Sequence, residues 1–105
     1  AANLFTIWQT ERQTRVWIIP EYDLVTDLNY RGDHAAKWET AILMHLRPDL
    51  VDLSRLDDES ASEEGGILGE DPRSAATPEL GGFIVSAIVQ RLADRVQKYL
   101  EVGHE

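Results

Sequence analysis

The strongest folding signal in the sequence is one long amphipathic stretch near its C-terminus. Thr77 followed by Pro78 is a typical helix start, because a threonine hydroxyl caps the first turn and proline fits the first helical position. Helical spacing then predicts a helix over residues 78–100, whose apolar side comprises Val85, Ile88, Leu92, Val96 and Tyr99. Its predicted polar side comprises Gln90, Arg91, Asp94 and Lys98. Such a helix needs other segments to cover its apolar side.

Two adjacent glycines, Gly81 and Gly82, lie close to the start of this helix. Each lowers helical stability by about 1 kcal/mol relative to alanine. Glycine inside a helix also lets another backbone approach closely, because there is no Cβ atom in the way. The pair therefore predicts that a second segment packs against the first turns of this helix.

A second, shorter helix is predicted from Ala35 to Leu46. Gly32 supplies a turn before it, Asp33 is a good N-cap, and Pro48 follows its end. At about 100° per residue its apolar positions form one stripe, made of Trp38, Ile42, Leu43 and Leu46. On the same projection Glu39 falls inside the stripe.

A carboxylate at the Glu39 position must be neutral, paired or bound to something. His34 lies five residues earlier, at the entrance of the same predicted helix. In a functional interpretation the two form an acid/base pair, in which the carboxylate orients the imidazole. In a structural interpretation Glu39 pairs with an arginine or a backbone amide, and His34 only caps the helix. Periodicity alone favours the structural interpretation.

The rest of the chain carries weaker signals. Two apolar clusters, residues 4–8 and 16–19, are rich in β-formers and predict two short strands. Residues 57–66 are polar and acidic without an aromatic residue, which predicts a solvated loop. Residues 69–73 are interpreted as a turn. Length and composition fit one domain over residues 1–105.

Charge and composition exclude several function classes. The chain has 19 acidic and 10 basic side chains, a formal charge of −9, which disfavours nucleic acid and anionic membranes as partners. The absence of cysteine excludes disulfides, thiolate metal sites and cysteine nucleophiles. No signal peptide is visible, so we expect a cytoplasmic location. The start at Ala1 rather than at a methionine leads us to expect a piece of a longer protein.

Two blocks of sequence resemble the creatininase (creatinine amidohydrolase) family. Residues 33–44, Asp-His-Ala-Ala-Lys-Trp-Glu-Thr-Ala-Ile-Leu-Met, followed by residues 48–51, resemble the His-Ala-Gly-x-x-Glu-Thr-Ser segment of that family. Residues 69–81 are similar to its Gly-Asp-Pro, Ala-Thr and Glu-x-Gly segment ahead of a C-terminal helix. The resemblance covers about residues 27–100 and implies the C-terminal part of the family domain.

The resemblance implies an α/β fold. We expect the C-terminal portion of a three-layer α/β/α sandwich, with two main helices, short strands, the acidic loop 57–66 and a C-terminal helix over residues 78–100. Family members hydrolyse a C–N bond of a cyclic or linear amide with two divalent metals, zinc or manganese. His34 matches the catalytic, proton-transferring histidine of the family and Glu39 matches the carboxylate that supports it. Tyr30 and Asp33 are then the candidate substrate contacts.

The sequence also departs from the family pattern. Ala36 stands where the motif has glycine and Ala41 where it has serine, which puts the substrate class in doubt. The metal ligands of the family belong to its N-terminal half, so we expect no metal site in this chain. The expected partners are that N-terminal half or a second chain, a small-molecule amide substrate, and further copies in a homo-oligomer. The alternative is a non-catalytic interaction or assembly domain that keeps the family framework.

Overall fold

The computed structural model describes residues 16–102, and within them the regular structure is helical. Helix α1 is Lys37–Leu46, the one-turn helix α2 is Pro72–Ala75, and the long helix α3 is Pro78–Val102. Short 3-10 turns precede α1, at Glu21–Leu24 and Thr26–Leu28, and lie between α1 and α2, at Pro48–Leu50 and Leu53–Arg55. Within residues 16–102 no helix is long and apolar enough to cross a membrane.

The start of α3 follows the predicted capping residue, whereas that of α1 does not. The Thr77 hydroxyl accepts a hydrogen bond from the Leu80 amide at 3.1 Å, which confirms Thr77 as the cap of α3. The helix runs two residues beyond the predicted end at Leu100. Helix α1 begins two residues later than predicted, because Ala35 adopts a left-handed conformation with φ +52° that no α-helix continues.

Helices α1 and α3 pack against each other through a glycine contact. A Cβ atom on Gly81 would overlap the carbonyl oxygen of Ala41, and Ala41 itself is fully buried. At Gly82 an added Cβ would lie 3.1 Å from the His45 ring. The predicted close approach of a second backbone near the start of the long helix is confirmed.

The core lies where these two helices meet the turns that precede α1. Its buried residues include Leu24, Val25, Tyr30 and Ile84. Partly buried apolar side chains pack around them, among them Ile19, Leu28, Trp38, Ile42, Val85 and Ile88. The Trp38 ring meets the Tyr30 ring edge-on at 5.1 Å between centroids, an arrangement that aromatic pairs prefer.

The predicted short strands are not found in the part of the chain that the structure describes. Residues 16–19 form no strand and lead through Pro20 into a 3-10 turn, and Ile18 is 62% exposed. An apolar β-rich cluster needs a neighbouring strand to pair with, and the described residues provide none. The other predicted strand, residues 4–8, lies outside the described residues. Residues 16–102 are therefore helical with one isolated β-bridge, between His34 and Leu68, and the expected sandwich stays a prediction.

The second half of α3 extends beyond the core. Its first apolar positions, Val85 and Ile88, pack as predicted, but Leu92 and Val96 are 37% and 41% exposed. The described residues accordingly form an elongated body of 54 × 27 × 26 Å. Arg91 is not on a purely solvent-facing side as predicted, because its guanidinium donates to the Leu24 carbonyl at 2.8 Å.

The ion pair between Arg91 and Asp27 makes the stability of this contact depend on pH. Hydrogen bonds from the Arg91 side chain hold the pKa of Asp27 below its usual value, so the ionised carboxylate stabilises the folded state at neutral pH. This contribution is lost as pH falls through the lowered pKa. Asp27→Asn should therefore destabilise the chain at pH 7, and its difference from the parent should vanish once the pH has fallen below the lowered pKa of Asp27.

Urea unfolding from pH 2 to pH 7 measures this difference. Asp23→Asn is the matched control, because Asp23 is an exposed carboxylate in the neighbouring turn and forms no ion pair with a described residue. Equal pH profiles for the two variants would contradict the stabilising role of the Asp27–Arg91 pair.

Candidate functional site

The backbone of His34 is fixed by two hydrogen bonds to Leu68, one from its amide and one to its carbonyl. Its amide donates to the Leu68 carbonyl at 3.0 Å, and its carbonyl accepts from the Leu68 amide at 2.9 Å. Three residues on, the Lys37 amide donates to the Glu70 carbonyl at 3.0 Å. The backbone that carries His34 is thus joined to a segment more than thirty residues away in sequence.

The side chain of His34 is exposed. Its imidazole forms no hydrogen bond or ion pair with any residue of the described part of the chain. A fixed backbone with an exposed, unengaged ring can present the imidazole to another molecule.

Asp33 and Glu39 together hold the turn between His34 and α1. The Asp33 carboxylate accepts from the Trp38 amide at 2.7 Å and from the Glu39 amide at 3.0 Å, so it caps the first turn of α1 as predicted, although the N-cap residue is Ala36 rather than Asp33. In return the Glu39 carboxylate accepts from the Ala35 amide at 2.6 Å. This reciprocal pattern resembles a capping box and satisfies donors that the helix start leaves free.

The same bonds stabilise an unusual backbone conformation at Ala35. A non-glycine residue with positive φ costs on the order of 1–3 kcal/mol, and such a conformation persists only where its surroundings determine it. Here the Ala35 amide binds the Glu39 carboxylate, and the Ala35 carbonyl accepts from the Thr40 hydroxyl at 3.3 Å. Hydrogen bonds to both the amide and the carbonyl of Ala35 therefore stabilise the turn immediately after His34.

The predicted burial of Glu39 within the apolar stripe is wrong. Glu39 is exposed, and no ion pair joins its carboxylate to His34 among the described residues. The reason is the glycine contact, which brings the small Ala41 against α3 and leaves Leu43 and Leu46 38% and 56% exposed. The buried side of α1 is thus centred on Ala41 rather than on the predicted stripe.

Tyr30 occupies the core. It is 1% exposed, and its hydroxyl donates to the Glu21 carboxylate at 2.8 Å. Burial and this bond to Glu21 raise the pKa of the Tyr30 phenol well above its usual value. The structure therefore does not bring Tyr30 to the surface beside His34, and its substrate contact remains a prediction, as does that of Asp33.

A groove of about 360 Å³ lies beside the turn that follows His34. The polar side chains in its wall are Glu39, Thr40 and Asp52. Its apolar wall includes Leu43, Leu50, Leu53, Leu56, Ile67 and Pro72. Sequence reasoning missed this groove, because residues 48–56 have no clear periodicity and the groove forms only when they meet α1 and Ile67.

The described residues do not provide a metal centre. Within residues 16–102 no group of three or more histidine, aspartate or glutamate side chains is placed to hold a metal ion. Asp33 and Glu39 are engaged with backbone amides of the α1 start, so their carboxylates serve the helix cap. The residues in this part of the chain therefore do not fit the divalent metals that the sequence resemblance implies.

Comparison with known proteins identifies the family. A search among curated proteins and a search among solved structures each found no match. The family model described as creatininase, creatinine amidohydrolase, matches residues 5–96, which is most of the 105-residue chain. This range includes both blocks in which the sequence resembles that family, together with His34 and the turn that holds it. The chain therefore belongs to the creatininase family.

Proposed function

We propose that this chain is the C-terminal segment of a metal-dependent amidohydrolase domain that hydrolyses a C–N bond of a cyclic or linear amide. Family membership supports the hydrolase class. The observation that carries the proposal is the position of His34, whose backbone is held by Leu68 on both sides while its ring is exposed and unengaged. Catalytic groups need this combination of a fixed backbone and an accessible side chain.

In this proposal His34 transfers a proton at the scissile bond. Cleavage of an amide C–N bond requires a proton on the departing nitrogen, and an imidazole both accepts and donates protons near neutral pH. Glu39 acts as a positioning residue, because its carboxylate binds the amide of Ala35, the residue that follows His34. Asp33 supports the same turn through the first amides of α1.

The proposal places the metal ligands outside the described residues. They would come from an N-terminal half of the same protein or from a second chain, since residues 16–102 contain no cluster of three or more histidine, aspartate or glutamate side chains placed to hold a metal ion. The same observation favours the second candidate, a non-catalytic assembly domain of the same family. The two candidate functions differ in whether His34 takes part in catalysis.

Substitution of His34 distinguishes the candidates. The native assembly that contains this chain is purified and assayed against a panel of cyclic and linear amides, with mass spectrometry detecting the uptake of one water molecule. His34→Asn should lower kcat by at least about a hundredfold, the usual scale of a lost proton-transfer group. His45→Asn is the matched control, because His45 is also exposed and lies at the other end of α1.

Unchanged kcat in His34→Asn would reject the catalytic role. An assembly that hydrolyses none of the amides would favour the assembly domain. Circular dichroism of both variants establishes that the helices are intact, since His34 contributes only backbone hydrogen bonds to the fold.

A further inference from the structure

Gly69 lies in the middle of the segment that holds the His34 backbone. The residue before it, Leu68, forms both backbone hydrogen bonds with His34. The residue after it, Glu70, accepts a hydrogen bond from the Lys37 amide at 3.0 Å. The two segments are therefore joined on either side of Gly69, and a displacement at Gly69 acts on the backbone that carries His34.

A side chain at Gly69 has no room. A Cβ atom there would lie 2.8 Å from the Ala36 Cβ and 3.0 Å from the Asp33 Cβ. Carbon atoms in van der Waals contact are normally about 3.5–4.0 Å apart. Neither Cβ atom can rotate away, because each is fixed to the backbone, and Ala36 is fully buried. The approach of Gly69 to Asp33 and Ala36, which lie on either side of His34, is called the Gly69 contact.

A nearby glycine shares the backbone conformation of Gly69 without the contact. Gly69 has φ +145°, a value that residues with a side chain rarely adopt. Gly66 also has a positive φ, at +100°, but among residues 16–102 no atom lies within 4 Å of the Cβ that alanine would add there. The effect of the contact can therefore be separated from the effect of the conformation.

We propose that Gly69 is a positioning residue for His34, and that the Gly69 contact determines where the His34 imidazole is presented. The inference rests on the proposed function, in which this imidazole transfers a proton at the scissile bond. Proton transfer requires hydrogen-bond distance between the reacting groups. A misplacement of about 1 Å can lower a rate about a hundredfold. A glycine that lets two backbones approach closely therefore contributes to the rate without touching the substrate.

Hydrogen exchange of the native assembly tests the positioning of the backbone. Gly69→Ala should make the amides of His34 and Leu68 exchange at least about tenfold faster, because their hydrogen bonds join the two segments that the added Cβ forces apart. Gly66→Ala is the matched control and should leave the exchange of His34 near the parent rate. The Gly81 amide, hydrogen-bonded at the start of α3, should exchange at the parent rate in both variants.

Ala36→Gly combined with Gly69→Ala tests whether the contact is the cause. The second substitution removes the Cβ that lies 2.8 Å away and leaves the approach to Asp33 at 3.0 Å. Exchange of the His34 amide should therefore slow toward the parent rate. Ala36→Gly alone is the control, because only a slowing beyond its own effect reports an interaction between the two positions.

Kinetics of the native assembly test the role in catalysis. Gly69→Ala should lower kcat for amide hydrolysis at least about tenfold and leave KM unchanged. In the His34→Asn background the same substitution should lower kcat no further, because the effects of residues that act through one group do not add. Gly66→Ala should keep the kcat of the parent.

Parent-like exchange of His34 in Gly69→Ala, or faster exchange that Ala36→Gly leaves unchanged, would overturn the proposal. A loss of kcat that recurs in the His34→Asn background would also overturn it, because Gly69 would then act by another route. Failure of the proposed function gives a different result. His34→Asn would then keep its kcat while Gly69→Ala still makes the His34 amide exchange faster.

Discussion

Gly81→Ala is expected to destabilise the chain by about 3 kcal/mol, because overpacking of a close helix contact forces the backbones apart. The added Cβ would overlap the Ala41 carbonyl oxygen, which is a backbone atom of α1 and cannot rotate away. The gain of about 1 kcal/mol in helix propensity that alanine brings does not offset this overlap. Urea unfolding followed by circular dichroism measures the free energy of unfolding.

Gly82→Ala is the control for this substitution. Its added Cβ would meet the imidazole of His45 at 3.1 Å, and an exposed side chain can move by the few tenths of an ångström required. We therefore expect Gly82→Ala to leave stability unchanged or to raise it by up to about 1 kcal/mol. Equal losses in the two variants would show that the contact between Gly81 and Ala41 does not determine how α1 and α3 pack.

Tyr30→Ala is expected to cost about 3–5 kcal/mol, the usual range for removing a large buried aromatic side chain. The ring is 1% exposed and packs edge-on against Trp38, so its removal leaves a cavity between the core and α1. Tyr30→Phe keeps the ring and loses only the hydrogen bond to Glu21, which predicts a loss of about 1 kcal/mol. The same unfolding measurement compares the two variants.

This pair also separates a structural role of Tyr30 from a role in substrate binding. A core residue changes the free energy of unfolding and leaves the KM of the assembly unchanged in Tyr30→Phe. A variant that kept its stability and raised KM would instead support the substrate contact that the family resemblance implies.

The sequence predicted α1, α3 and the side chains that cap them because these depend on local chemistry; it did not predict α2, whose first residues were interpreted as a turn. Thr77 and Asp33 act as caps through hydrogen bonds to amides within six residues. The contact at Gly81 was also predictable, since paired glycines in a helix have few explanations other than close packing. Local rules therefore determine where α3 begins and where α1 meets it.

Most features that the sequence did not predict depend on distant contacts. The positive φ of Ala35 is an exception, because its hydrogen bonds to Glu39 and Thr40 are local but no residue pattern signals that backbone conformation. The bridge between His34 and Leu68 joins segments that share no motif. The exposure of Glu39 follows from how α1 rotates against α3, which a projection of α1 alone does not contain.

The family resemblance supplied what periodicity did not. Spacing alone favoured a structural interpretation of His34 and Glu39, whereas the match to the creatininase family gives His34 a candidate role. In the structure His34 and Glu39 also have different roles. It leaves the His34 ring exposed and uses the Glu39 carboxylate to hold the turn beside it.

Chemical rescue of His34→Ala in the native assembly tests the central claim most directly. Removal of an exposed imidazole leaves the backbone bonds to Leu68 in place and opens space for a free imidazole from solution. We predict that amide hydrolysis falls at least about a hundredfold and then rises with the concentration of added imidazole. A His34→Ala assembly that hydrolyses its amide at the parent rate without added imidazole would contradict the proton-transfer role of His34.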